Sequence, residues 1–143
     1  MEIKVEHLGA VQFEIRTRGH VVVSDQSADN GGFDEGMTPP EFLLAALGSC
    51  AAYYAAEYLR ARKLADTGTK VFVTAEKVKN PARLDNFQLR VEVPIALTAE
   101  QDLGIRRAIE KCLVHNTLLH PPKITAEVVS ETSILEAGAI VNQ

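Results

Sequence analysis

Cysteine is scarce, with only Cys50 and Cys112 in 143 residues. That excludes the disulfide framework on which small secreted folds depend. Tryptophan is missing altogether, which by itself decides nothing. No uncharged apolar run reaches the roughly 20 residues of a bilayer-spanning helix; the run over residues 42–56 is shorter and rich in alanine, as a core helix would be. The N-terminus carries charge from Glu2 onward and lacks the apolar centre of a secretory signal, so the expected location is the cytoplasm, where both thiols stay reduced. Positive charge is also wanting. A formal charge of -4 and a pI of about 5.6 argue against a nucleic-acid partner, because phosphate binding requires clustered Lys and Arg. The densest basic group, Arg60, Arg62 and Lys63, falls where a helix is expected to end, and cations there complement the helix dipole. The sequence contains no repeat, no low-complexity segment and no GxSxG, Walker or dinucleotide-binding fingerprint; Gly31 and Gly32 sit in a polar loop.

What is present is the profile of one globular domain over residues 1–143. It is 46% hydrophobic and 24% charged, and long enough to build a core without metals or disulfides. Residues 3–8, 11–17 and 20–25 alternate apolar and polar side chains and read as strands, the last two joined by a turn at Arg18 and Gly19. Residues 26–37 form a loop by their Gly, Asp and Asn content. Thr38, Pro39, Pro40 and Glu41 then make a helix start, with a capping threonine, proline in the first turn and glutamate three residues after the cap. That helix is expected to run to about residue 64. Two β-branched alternating runs, 70–79 and 87–95, suggest an antiparallel pair. A second capping box at Thr98 opens a helix expected to reach residue 113, with Ile105, Ile109 and Cys112 on one face. Residues 115–122 stop it, residues 123–130 read as a final strand, and the remaining tail carries no clear pattern. This order, three strands, helix, two strands, helix, strand, implies an α+β fold.

Cys50 raises the chemical question. It lies near the middle of the first helix, one turn from Ala46 and Leu47 on one side and from Tyr53 and Tyr54 on the other. A mid-helix glycine is unfavourable, so Gly48 suggests a close neighbour, most simply another helix. Either cysteine alone is accounted for as a small buried hydrophobe. Together they offer a dithiol, since each is expected on the inward face of a different helix. A reactive thiolate also requires a cation, because apolar burial raises a thiol pKa, and Cys50 is too far along the helix for its dipole. Arg16 and Arg18 are the candidates, with Glu41 able to orient a guanidinium in addition to capping the helix.

Two segments carry a resemblance, GMTPPEFLLAALGSC at 36–50 and CLVHNTL at 112–118. With the element order they resemble the OsmC/Ohr family of thiol-dependent hydroperoxide reductases, and Leu113 directly after the second cysteine is more similar to the broad OsmC-like branch. The resemblance implies an intertwined homodimer with active sites at the subunit interface and no cofactor or metal. It implies that Cys50 attacks an organic hydroperoxide, that Cys112 resolves the sulfenic acid into a disulfide, and that Glu41 holds an arginine best matched by Arg18. The apolar lining would come from Phe33, Leu47, Tyr53 and Tyr54, and the reductant would be a dithiol such as a dihydrolipoyl protein. Two other readings stand beside this one. In the first, Cys112, His115, His120 and Cys50 are recruited to a metal. In the second, an OsmC-like dimer binds an apolar small molecule in its interfacial pocket, its cysteines serving as packing or as a redox sensor.

Overall fold

The computed structural model describes residues 1–130, and the patternless tail lies outside the described residues. Three antiparallel strands come first, β1 (Lys4–Gly9), β2 (Gln12–Thr17) and β3 (His20–Ser24), in the order β1-β2-β3. A loop with one 3-10 turn (Ala28–Asn30) leads to the long helix α1 (Pro39–Ala61). A second antiparallel sheet pairs β4 (Lys70–Lys79) with β5 (Ala82–Glu92), followed by α2 (Ala99–Ile109) and α3 (Leu113–Leu119). The class is α+β, as the order of sequence signals predicts.

Helix α1 is the centre of the fold. Leu47, Ala51, Ala55 and Leu59 recur every four residues and are wholly or almost wholly buried. Against this stripe pack α2 through Ile105, the inner face of β4, and α3. Tyr58, Leu64, Val91, Val93, Ile95, Leu97 and Ile109 close the end of the core around Ala55, Leu59 and Ile105. Strand β4 alternates exposed and half-buried residues along most of its length, so one face of the second sheet lies on the helix. The helix end is held by side chains: Arg60 bridges Asp66 at 2.8 Å, and the Arg62 guanidinium lies 3.6 Å from the centre of the Tyr58 ring.

Four sequence expectations are corrected. The β4–β5 connection is only Asn80 and Pro81, because Lys79 already pairs with Ala82; the polar residues Arg83, Asp85 and Asn86, which read as loop, lie on an open stretch of strand. The second helix stops at Ile109, and Cys112 precedes a separate helix. That break lacks Gly or Pro and is made by Asn116, whose side-chain amide donates to the Glu110 and Cys112 carbonyls at 3.0 and 3.1 Å. His115 therefore lies in the first turn of α3 instead of ending a helix, and His120 caps its end. Finally, among the described residues, the segment 123–130 forms no strand and lies exposed, with Ile124 at 87% and Val128 at 96% exposure.

The neighbour at Gly48 is also different from the expected helix. A Cβ there would lie 2.9 Å from Cγ2 of Val73 on β4, so the glycine lets strand and helix approach. Val73 is β-branched and stiff at χ1. Gly48→Ala should therefore destabilise the protein despite the better helix propensity of alanine. In a Val73→Ala background the same change should stabilise by up to about 1 kcal/mol. Urea unfolding of the four variants of this cycle measures the reversal; the same sign in both backgrounds would remove Val73 as the cause.

Candidate active site

Cys50 and Cys112 are free thiols brought together from α1 and the head of α3. Cys50 is half-buried, whereas Cys112 is fully buried. Cys112 takes an extended backbone (φ -60°, ψ 126°), and its Sγ accepts the His115 N–H at 3.3 Å. The helix break thus turns its side chain in beside α1. Burial pushes the Cys112 thiol up, the neighbouring Cys50 thiol adds to this, and the N–H groups of His115 and Val114 partly offset it. An apolar wall, one open thiol and one closed thiol make a pair suited to forming and breaking a disulfide.

Glu41 stands at the start of α1. The Thr38 N–H and hydroxyl donate to the same carboxylate oxygen, Oε2, at 2.7 and 2.8 Å. Those two bonds, followed by the Lys77 ammonium, hold the Glu41 carboxyl below the usual carboxylate range. Among the described residues, Oε1 receives no hydrogen bond, so the cap leaves half of the carboxylate available. Among the described residues, no arginine of the same chain meets it. Arg16 is engaged by Glu14 on its own strand through two hydrogen bonds. Arg18 occupies the β2–β3 turn with φ at +53°, exposed and without a hydrogen bond or ion pair among the described residues. This is the left-handed region that a non-glycine residue rarely adopts, and the turn's own Gly19 does not take it.

The expected lining residues are dispersed. Leu47 is 1% exposed and belongs to the core, while Tyr53 is 60% exposed and meets the half-buried Tyr54 edge-on at 5.3 Å. Tyr54 also borders a charged cleft of 540 Å³ between α1 and α2. Phe33 stands 65% exposed on the loop before α1. A second, more apolar cavity of 390 Å³ lies between β5 and α2, with Leu89, Val91, Ile105 and Ile109 in its walls and His115 at its edge. Among the described residues, no three His, Cys, Asp or Glu side chains converge in a metal-binding group.

Sequence reasoning missed Asp25, a fully buried carboxylate. It organises the loop that carries Phe33 and leads to Thr38. Its Oδ2 accepts from Phe33 N at 3.0 Å, Glu35 N at 3.1 Å and Gln12 Nε2 at 3.2 Å, and its Oδ1 accepts from Gln26 N at 2.7 Å. Gly32 and Gly36 allow this wrap, since a Cβ at either would run into the carbonyl of Gln26 or Val23. Burial raises the Asp25 pKa, but the bonds from Glu35, Gln26, Phe33 and Gln12 outweigh it and the net shift is downward. The available signal was an acidic residue at a strand end, before a loop whose N–H groups lacked partners.

Fold and site define an α+β protein with two adjoining thiols at its central helix. The chain belongs to the OsmC/Ohr family: residues 32–127 match the family described as OsmC-like protein. No curated protein matches the sequence. Among solved structures, the chain is similar to an OsmC-like protein from Mycoplasma pneumoniae, with TM-score 0.65, 19% identity and coverage of 90% of this chain and 96% of that one. It is similar to an organic hydroperoxide resistance protein OsmC from Legionella pneumophila, with TM-score 0.59, 14% identity and coverage of 82% and 87%. A protein from Psychrobacter arcticus, provisionally assigned to osmotic stress induction and a detoxification response, gives TM-score 0.74, 20% identity and coverage of 80% and 85%. At these identities the likeness is one of fold.

Two predictions follow the geometry. In the native protein at neutral pH, iodoacetamide should label Cys50 well before Cys112, and urea should abolish that order; equal native labelling would contradict the burial of Cys112. Asp25 titrates lower when folded than its unfolded value of about 3.9, so its stabilisation is complete above that pH and fades as pH falls through the folded pKa. Asp25→Asn should flatten this acid-dependent part of stability and speed amide exchange at Phe33 and Glu35 at neutral pH. Unchanged exchange at both amides would count against the clamp.

Proposed function

We propose that the protein is a thiol-dependent reductase of organic hydroperoxides that acts as a homodimer. The observation that carries this reading is the pairing of half-open Cys50 with closed Cys112. The Cys50 thiolate attacks the O–O bond, leaving a sulfenic acid on Cys50 and releasing an alcohol once the departing alkoxide is protonated. The Cys112 sulfur then attacks the Cys50 sulfur and expels hydroxide, which leaves as water, so the pair ends as a disulfide. An external dithiol, of the dihydrolipoyl kind, returns two electrons. No resident cofactor enters these steps. The reducing cytoplasm suits a catalyst whose resting state is two free thiols.

The homodimer is supported by what one chain leaves open. Strand β1 is exposed along almost its whole length, and Ile3, Val5, Leu8, Val21 and Val22 contribute apolar surface to that sheet or its edge. On α1, Ala45, Ala46, Ser49 and Tyr53 face outward within the stretch that has no charge between Glu41 and Glu57. A second copy covers these surfaces and supplies Arg18, whose guanidinium meets the spare oxygen of Glu41 and stabilises the Cys50 thiolate. Phe33, Tyr53 and Tyr54 then contribute apolar surface for the organic group, with the buried Leu47 behind them in the core, so alkyl hydroperoxides react faster than hydrogen peroxide.

The rival reading, a dimer that binds an apolar small molecule, has the 390 Å³ cavity in its favour, because the shielded His115 Nδ1 beside it has no hydrogen-bond partner among the described residues. Anaerobic thiol counting separates the two. With one equivalent of cumene hydroperoxide, the wild type should lose both thiols rapidly and Cys50→Ser should lose none, while Cys112→Ser should hold a sulfenic acid on Cys50. Persistence of both wild-type thiols would overturn the peroxidase reading and leave the binding module.

A further inference from the structure

The two sulfurs differ in how they can be approached, and this fixes how an oxidised pair is reopened. A thiolate attacks a disulfide from the side opposite the sulfur that will leave, and access to the attacked sulfur governs the rate. Cys112 is completely enclosed, and an attack on it would have to come through the packing on its far side from Cys50. Cys50 is only half-buried, so of the two sulfurs it is the one that can be reached from outside. The Cys112 sulfur also has a donor waiting, the N–H of His115 at 3.3 Å, which receives negative charge developing there.

Resting on the redox-pair reading above, we propose that the dithiol reductant opens the Cys50–Cys112 disulfide at Cys50, so that Cys112 is always the leaving sulfur. The first reductant thiolate forms a bond to Cys50 Sγ. The Cys50–Cys112 bond breaks, and its electron pair departs on Cys112 Sγ, which is then protonated. The second reductant thiolate attacks the reductant's own first sulfur, closes a disulfide within the reductant and releases Cys50 as a thiolate. Two electrons pass to the protein, and the only mixed disulfide formed is on Cys50. Peroxide and reductant therefore use one sulfur and one entrance in turn, while Cys112 never meets either of them.

The test uses wild-type protein oxidised with diamide, so that disulfide formation does not depend on hydroperoxide chemistry. A monothiol, 2-mercaptoethanol, cannot cyclise and leaves its adduct behind. After a brief exposure, acid quenching, denaturation and alkylation of free thiols with N-ethylmaleimide, peptide mass spectrometry assigns the adduct. We expect it on Cys50, with maleimide on Cys112, in at least about a tenfold excess over the reverse, as the difference in access requires. An adduct mainly on Cys112, or shared equally, overturns this order while leaving the redox pair intact. If diamide produces no Cys50–Cys112 disulfide, the order and the redox pair fall together, whatever the thiol count with hydroperoxide shows about Cys50 alone.

Discussion

The packing of one narrow stripe of α1 determines where the other elements lie. Leu47, Ala51, Ala55 and Leu59 recur every four residues, and three of the five residues nearest this line are alanine or glycine, so neighbours approach the helix axis closely. Strand β4 comes in at Gly48 and α2 at Ala55 and Leu59. A wider apolar face of large side chains would hold these elements farther out. Gly104 repeats the device on α2, since a Cβ there would collide with the Tyr58 ring.

The helix break before Cys112 matters as much as the stripe. Had α2 continued through residue 113, Cys112 would sit on a regular helical face with its backbone amides engaged in the helix. Instead Asn116 ties the Glu110 and Cys112 carbonyls, the chain turns at an extended Cys112, and the His115 N–H is directed at the sulfur. The cysteine thereby gains burial and a donor together. The first raises the energy of its thiolate and the second lowers it, with burial the larger effect.

Much of this was legible in the residues. Both capping boxes marked helix starts, and period-2 alternation located four strands well; the exposed beginning of β5 was concealed because polar residues on a two-sided open strand look like loop. The break after Ile109 was hidden because Asn116 acts seven residues downstream through its side chain, without the Gly or Pro that sequence reading relies on. Asp25 was invisible for a related reason. An acidic residue before a loop reads as solvated, and only the folded loop shows four donors converging on it. Periodicity reports burial patterns along one element, whereas a side chain that organises backbone elsewhere leaves no periodic trace.

That distinction also explains why an apolar helix is left half covered. Nothing in the period of α1 tells whether Ala45, Ala46, Ser49 and Tyr53 face the same chain or another, because both environments select uncharged residues. Among the described residues they remain exposed, residues 123–129 pair with no strand, Glu41 Oε1 receives no hydrogen bond and Arg18 has no hydrogen bond or ion pair. These are separate kinds of incompleteness: apolar area, backbone hydrogen bonding and charge. On the proposed reading a single second copy answers all of them at once. It would also make the cation near Cys50 depend on association, so that a lone chain would carry the two thiols without the group that activates them.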